Sequence, residues 1–258
     1  MYKEYIAHIS KEKEQEEPRL QTVYEHSENV SRYAELEAKS VELGNTLKIA
    51  GLLHDIGKLT DEFNDYIHIA AKNPKSVKRG SVNHSSAGAK YIMDYGAEHG
   101  IKYSPQIIAY SIFSHHGLND CVDESEKDKF TPRLNVDENR YQSVLNNIGP
   151  LIDTVDLKSL LEESEKEFKD FIEKINNVAK DMKSADKKNC CFLVGCLERL
   201  ILSYLVDADR RDTAEFMHNK IYKRKKQEEI HGLWVDYQKK LNQKLDSFNT
   251  DTKIDMLR

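Results

Sequence analysis

Apolar residues recur at three- and four-residue spacing through almost the whole chain, and no run of strand-like alternation has a partner. That spacing is the period of an amphipathic helix, so it constrains the chain to helices packed on helices. Gly (11) and Pro (5) together make only 16 of the 258 residues, about half of average usage, which leaves few places to break a helix. Six stretches are predicted. Val23 to about Lys39 follows a Thr22-x-x-Glu25 capping box; about Asn45 to Gly57, Asp61 to Ala71, Ser85 to Met93 and Gln106 to His115 come next, the last launched by Ser104-Pro105. Cys190 to about Asp209 is apolar on nearly every side and reads as a central helix.

Around these, the charge run Lys11 to Glu17 reads as part of a solvated N-terminal arm, residues 1–21. Residues 22–248 form one domain, with residues 119–185 a surface loop followed by one or two peripheral helices. The polar tail 249–258 is a candidate truncation point. With 39 Lys and Arg against 44 Asp and Glu, the net charge of −5 gives no whole-chain attraction to nucleic acid. Of the four cysteines, Cys121, Cys190, Cys191 and Cys196, none forms a C-x-x-C pair, and the last three read as core packing in a reducing compartment. Neither a leader with an apolar centre nor an apolar run of 18 residues occurs, so a cytoplasmic protein with no membrane partner is expected.

Chemistry concentrates where ionisable residues follow apolar ones. His54-Asp55 closes Leu52-Leu53, His115-His116 follows Ile112-Phe113, Asp207 follows Leu205-Val206, His26 lies on the inward stripe of the first helix, and His84 opens another. Burying such groups unpaired costs several kcal/mol, so a metal or a hydrogen-bonded network must satisfy them. Imidazoles and carboxylates from several helices converging on one point are the way a bundle builds a metal site. Lys58, one turn past His54-Asp55, is placed to contact a phosphate oxygen. His8, His68, His99, His218 and His231 have no motif context and read as packing or surface residues. Trp234 reads as a packing anchor, and the basic run Lys220 to Lys226 as a solvated helix face.

The order His26, His54-Asp55, Asp207 resembles the H…HD…D pattern of the HD metal-dependent phosphohydrolase superfamily. The closer resemblance is to the HD nuclease domain of the CRISPR-associated helicase-nuclease of type I interference systems. It is carried by Glu25-His26-Ser27-x-x-Val30, His54-Asp55-Ile56-Gly57-Lys58, Asn83-His84-Ser85-Ser86-x-Gly88-Ala89, Ser114-His115-His116-Gly117 and Leu205-Val206-Asp207-Ala208-Asp209-Arg210. The resemblance implies an all-α HD-domain bundle around a metal site, with a peripheral helical insertion. It implies one or two divalent ions (Mn, Fe, Co, Ni or Mg), one held by His26, His54, Asp55 and Asp207, the other by His84, His115 and His116 with Asp55 bridging. Catalysis would rest on His54, Asp55 and Lys58. The implied activity is cleavage of single-stranded DNA in antiviral CRISPR interference, with an ATP-dependent helicase in the same or a neighbouring chain and an RNA-guided surveillance complex as partners.

No G-x-x-x-x-G-K-[ST] phosphate loop occurs, so a stand-alone subunit or an N-terminal fragment is expected, the polar end favouring the fragment. Two alternatives are an HD phosphohydrolase acting on nucleotides or cyclic nucleotides, and a degenerate HD regulatory or binding module. Cyclic-dinucleotide hydrolases follow their His pair with a His-Glu-x-x-Asp-Gly run, whereas here Gly117-Leu118-Asn119 follows.

Overall fold

The computed structural model describes residues 3–10, 17–78, 80, 82, 84–118, 120–122, 124–125, 127–181, 187–223, 225 and 227–248. It is helical almost throughout. The helices are α1 (Val23–Ala38), α2 (Gly44–Leu53), α3 (Asp61–Lys72), α4 (Ser85–Glu98), α5 (Tyr103–Ser114), α6 (Glu138–Asn147), α7 (Gly149–Ile152), α8 (Leu157–Asp181), α9 (Lys187–His218) and α10 (Gln227–Asp246). α1 packs against α2 and α4 against α5, while α9 crosses α1, α2 and α5, so one apolar core runs between them. Its fully buried members include Leu47, Leu53, Ile92, Ile108, Ile112, Leu161 and Leu197. Among the described residues no helix is long and apolar enough to cross a membrane.

Thr22 caps α1 as its sequence indicates: its hydroxyl accepts from the Glu25 N–H and the Glu25 carboxylate accepts from the Thr22 N–H. Two other helix starts are capped from a distance. The Glu167 carboxylate of α8 accepts from the Asn45 and Thr46 N–H groups of α2 at 2.8 and 2.9 Å. Glu165 accepts from the Tyr103 and Ser104 N–H groups of α5 at 3.2 and 2.8 Å. Ser104 therefore lies inside the first turn of α5 and does not cap it; α5 starts one residue earlier. A carboxylate there also meets the positive end of the helix dipole.

Four expectations are corrected. The N-terminal segment is not wholly a solvated arm: Ile6–Ser10 (β1) pairs antiparallel with Arg19–Thr22 (β2), and Tyr5, Ile6 and Ala7 are buried. A lone two-stranded hairpin is marginal in water, and here packing on α3, α1 and α9 supports it. Most of the charge run, residues 11–16, lies outside the described residues.

The compact unit containing the core ends at Lys220, short of the expected residue 248, and the described residues from 221 onward form a second unit. In that second unit Trp234 is 68% exposed, with its ring edge-on to Tyr237, and is not a core anchor. Among its described side chains α9 is buried along Leu197, Ile201, Leu202, Leu205, Ala208 and Asp212; Phe192, Cys191 and Cys196 are exposed, so Cys191 and Cys196 are not core packing. The Cys190 side chain and the tail 249–258 lie outside the described residues.

Losing a capping acceptor costs about 0.5–2 kcal/mol. Glu167→Ala and Glu165→Ala should each lower stability by about that amount in chemical denaturation, with near-additive effects because they serve different helices. Denaturation midpoints at wild-type values would remove α8 from its proposed role in fixing α2 and α5.

Candidate metal centre

α2 ends at Leu53, and the chain leaves helical geometry at Asp55 (φ −114°, ψ 11°) before a single tight turn, Ile56–Lys58. Adjacent residues on a continuous helix point about 100° apart, so this break is what lets His54 and Asp55 converge. Gly57 in that turn leaves room for the backbone ahead of α4: a Cβ there would overlap the His84 carbonyl oxygen. Likewise a Cβ at Gly88 would overlap the Leu53 carbonyl oxygen. These two contacts seat the start of α4, and with it His84, against the end of α2.

Asp55 is the centre, 1% exposed. Its Oδ2 lies 3.4 Å from both His26 Nε2 and His54 Nε2, and those two nitrogens are 3.3 Å apart. Its Oδ1 lies 3.7 Å from both His84 Nε2 and His115 Nε2, while His84 Nε2 and His116 Nε2 are 2.6 Å apart. His26, His54 and Asp55 thus form an inner lobe, and Asp55, His84, His115 and His116 an outer one. His26 and His54 are fully buried, whereas His116 is exposed.

The donor chemistry decides what the lobes hold. Each of four imidazoles donates its Nδ1–H outward: His26 to Asp212 at 2.7 Å, His54 to the Gly51 carbonyl at 2.8 Å, His84 to the Val82 carbonyl at 3.2 Å, and His115 to the Ile112 carbonyl. The Nε2 lone pairs of His54, His84 and His115 therefore face an acceptor-only carboxylate, while His26 Nε2 lies between the Asp55 and Asp209 carboxylates. Asp55 Oδ1 and His115 Nε2 are buried without a hydrogen-bond partner. Acceptors opposed in this way are balanced by cations, and ligands at about 2.0–2.2 Å from one ion lie about 3.0–3.5 Å apart. The inner-lobe spacings fit that range, so the residues present suit a divalent ion.

Asp207 is not part of this set. It is exposed, and Asp209 Oδ1 stands instead 3.3 Å from His26 Nε2 and 3.9 Å from His54 Nε2. Helical phase is the reason. Leu197, Ile201, Leu205, Ala208 and Asp212 share the buried face of α9, with Asp209 at its edge, while Asp207 lies on another side. In the sequence the apolar pair Leu205-Val206 obscures that phase, and the packed helix resolves it.

Asp212 orients His26 and also accepts from Gln21 Nε2 at 2.8 Å. His8 was missed as well: from β1 its ring packs edge-on against His26 at 4.6 Å, with Nε2 3.3 Å from Thr213 Oγ1. No motif marked His8, because only the hairpin brings it here.

Lys58 is neither solvated nor turned outward. It is 6% exposed, its Nζ lies 2.7 Å from Asp55 Oδ2, and it sits over the Phe63 ring. Burial opposes the Asp55 charge, yet Lys58 and the surrounding imidazoles hold the carboxyl well below its usual range. Burial also lowers His26, but Asp209, Asp212 and Asp55 outweigh it and raise the imidazole to about 10. Burial first, and then neighbouring cationic groups, push His84 and His116 down to about 4.

Residues 23–135 match the HD domain. No curated protein matches the chain. HD domains are generally metal-dependent hydrolases, and the donor set built here fits the divalent ions such a domain uses. The matched stretch carries His26, His54, Asp55, His84, His115 and His116; His8, Asp209 and Asp212 come from segments outside it.

Asp209→Asn should weaken divalent-metal binding to the inner lobe by about tenfold or more in calorimetry, and Asp207→Asn should leave it at the wild-type value. The reverse pattern would restore Asp207 as the ligand. A second expectation concerns the metal-free protein. His84 and His116, near 4 when folded and 6.5 when unfolded, bind more protons unfolded, so they remove stability as pH falls from 6.5 towards 4. His26, raised to about 10, has the opposite sign: its contribution is complete below 6.5 and is lost as pH rises towards 10. Urea midpoints of metal-free protein should peak near neutrality, and a flat profile from pH 4 to 7 would contradict the burial of these imidazoles.

Proposed function

We propose that the chain is a phosphodiesterase that cuts single-stranded DNA, the nuclease component of a CRISPR interference system. The observation that carries the reading is the two-lobed donor set joined by Asp55, in which the inner lobe is sealed and the outer lobe opens to solvent at His116. When bound, divalent ions in such a site supply Lewis acids for phosphoryl oxygens and a nucleophilic water at neutral pH.

The chain's own residues do the rest. Asp55 offers one oxygen to each lobe, His54 and His26 hold the inner side with Asp209, and Asp212 fixes the His26 tautomer. Lys58 balances part of the Asp55 charge from beside it, so its contribution to catalysis runs through Asp55 and not through direct contact with a phosphate. The opening at His116 is where a phosphate reaches the centre. A flexible single strand can present one phosphodiester there, whereas a stiff duplex must first unpair. Strand separation would come from an ATP-dependent helicase, in the same or a neighbouring chain, recruited by an RNA-guided surveillance complex.

The test is degradation of labelled single-stranded, nicked and fully paired DNA with Mn, Ni or Mg, with and without ATP. Single strands should be cut and paired DNA spared, with no ATP effect. Binding should be weak and salt-sensitive, since only local cations meet the backbone of a chain with net charge −5. Equal cutting of paired DNA or stimulation by ATP would overturn the proposal. Rapid hydrolysis of nucleotides or cyclic nucleotides with inert DNA would move the assignment to a small-molecule HD phosphohydrolase, and intact substrates with tight metal binding would favour a regulatory module.

A further inference from the structure

A cavity of about 270 Å³ opens between Ser85, Ser86, Phe113, Pro132, Arg133 and Asn135. Its walls are the chain segments that also supply the outer lobe: Ser85 directly follows His84, and Phe113 precedes His115 by two residues. Among the described residues every polar side chain on the wall, two hydroxyls, one carboxamide and one guanidinium, can donate a hydrogen bond, and none is a carboxylate. Arg133 is the charged residue among the described residues of that lining.

Its position is fixed in advance. The guanidinium carbon lies over the Phe113 ring, 5.2 Å from its centroid, that ring packs edge-on against Phe130 at 5.1 Å, and the Arg133 N–H donates to the carbonyl of Phe130, the residue that opens the tight turn Thr131–Leu134, at 3.0 Å. A planar fork held by stacking loses little freedom when it receives an oxyanion.

We infer that this cavity is a phosphate subsite, in which Arg133 with Ser85, Ser86 and Asn135 holds a second phosphate group of the substrate beside the one delivered to the metal centre. The inference rests on the phosphodiesterase reading for its catalytic meaning. Arg133 is then a specificity-determining residue: it favours substrates whose reacting phosphate has a phosphate neighbour, whether the next nucleotide of a strand or the rest of a free nucleoside triphosphate.

Two measurements separate this inference from its premise. Calorimetric titration of metal-free chain with inorganic pyrophosphate reads the subsite without catalysis; Arg133→Gln should weaken binding by about fivefold or more, and Arg133→Lys should recover part of it. Turnover with Mn is then compared among oligothymidylate, thymidine triphosphate and bis(p-nitrophenyl) phosphate, which has no phosphate neighbour. Arg133→Gln should lower the kcat/KM ratio of a phosphate-flanked substrate over bis(p-nitrophenyl) phosphate by about tenfold, chiefly through KM. Asn135→Asp, which places a carboxylate in the cavity without disturbing the Phe113 stack, should move the ratio the same way.

A ratio that falls for oligothymidylate assigns the second phosphate to a strand, and one that falls only for the triphosphate assigns it to a free nucleotide; both support the subsite. Pyrophosphate binding and substrate ratios at wild-type values in both variants overturn it. Arg133-dependent pyrophosphate binding in a wild-type protein that hydrolyses none of the three would uphold the subsite and overturn the phosphodiesterase reading.

Discussion

The interaction on which the structure turns is the opposition of one buried carboxylate to a ring of imidazole lone pairs. Asp55 faces the Nε2 atoms of His26, His54, His84 and His115, and the rings of His54, His84 and His115 commit their Nδ1 proton to an outward carbonyl. An arrangement of acceptors facing acceptors is electrostatically unfavourable in a low-dielectric interior unless positive charge enters it. Lys58 supplies one such charge from beside Asp55, and the remainder of the donor set is suited to divalent ions. The core helices, the glycine contacts and the distant helix caps all bear on holding this opposition in place.

Three devices do that holding. The break after Leu53 redirects two consecutive residues into one space, which a continuous helix forbids. Gly57 and Gly88 let the start of α4 approach the end of α2 at backbone contact, so the outer lobe is positioned by main chain. Glu165 and Glu167, on a helix remote from the site, cap α5 and α2, the helices that end at His115-His116 and His54-Asp55. A surface helix thereby anchors both ligand-bearing elements at their opposite ends, and the ligands lie where the last turns of α2 and α5 meet.

Much of the centre was legible in the sequence because its residues break a local rule: ionisable side chains at apolar-flanked helical positions. His26, His54, Asp55, His115 and His116 stood out in that way and His84 as the opening of a helix, and all meet in the structure. Asp207 and Asp209 show how the same signal misleads. Both follow apolar residues, and only the phase of α9 over four turns separates the exposed one from the one beside His26. The N-terminal hairpin was hidden for another reason: β1 is five residues long beside a run of charges, and its stability comes from what it packs against.

By itself, then, the sequence determined the helical class, the capping of α1 by Thr22 and Glu25, and the presence of a histidine and aspartate centre, because periodicity, local hydrogen bonding and the cost of burying ionisable groups are properties of neighbouring residues. Only the tertiary structure decided that Asp209 takes the place expected of Asp207, that His8 joins the site from β1, that Lys58 turns inward to Asp55, and that Glu165 and Glu167 cap distant helices. Each of those depends on residues from separate segments meeting at a few ångströms. Sequence spacing carries no term for such a meeting until the core has packed.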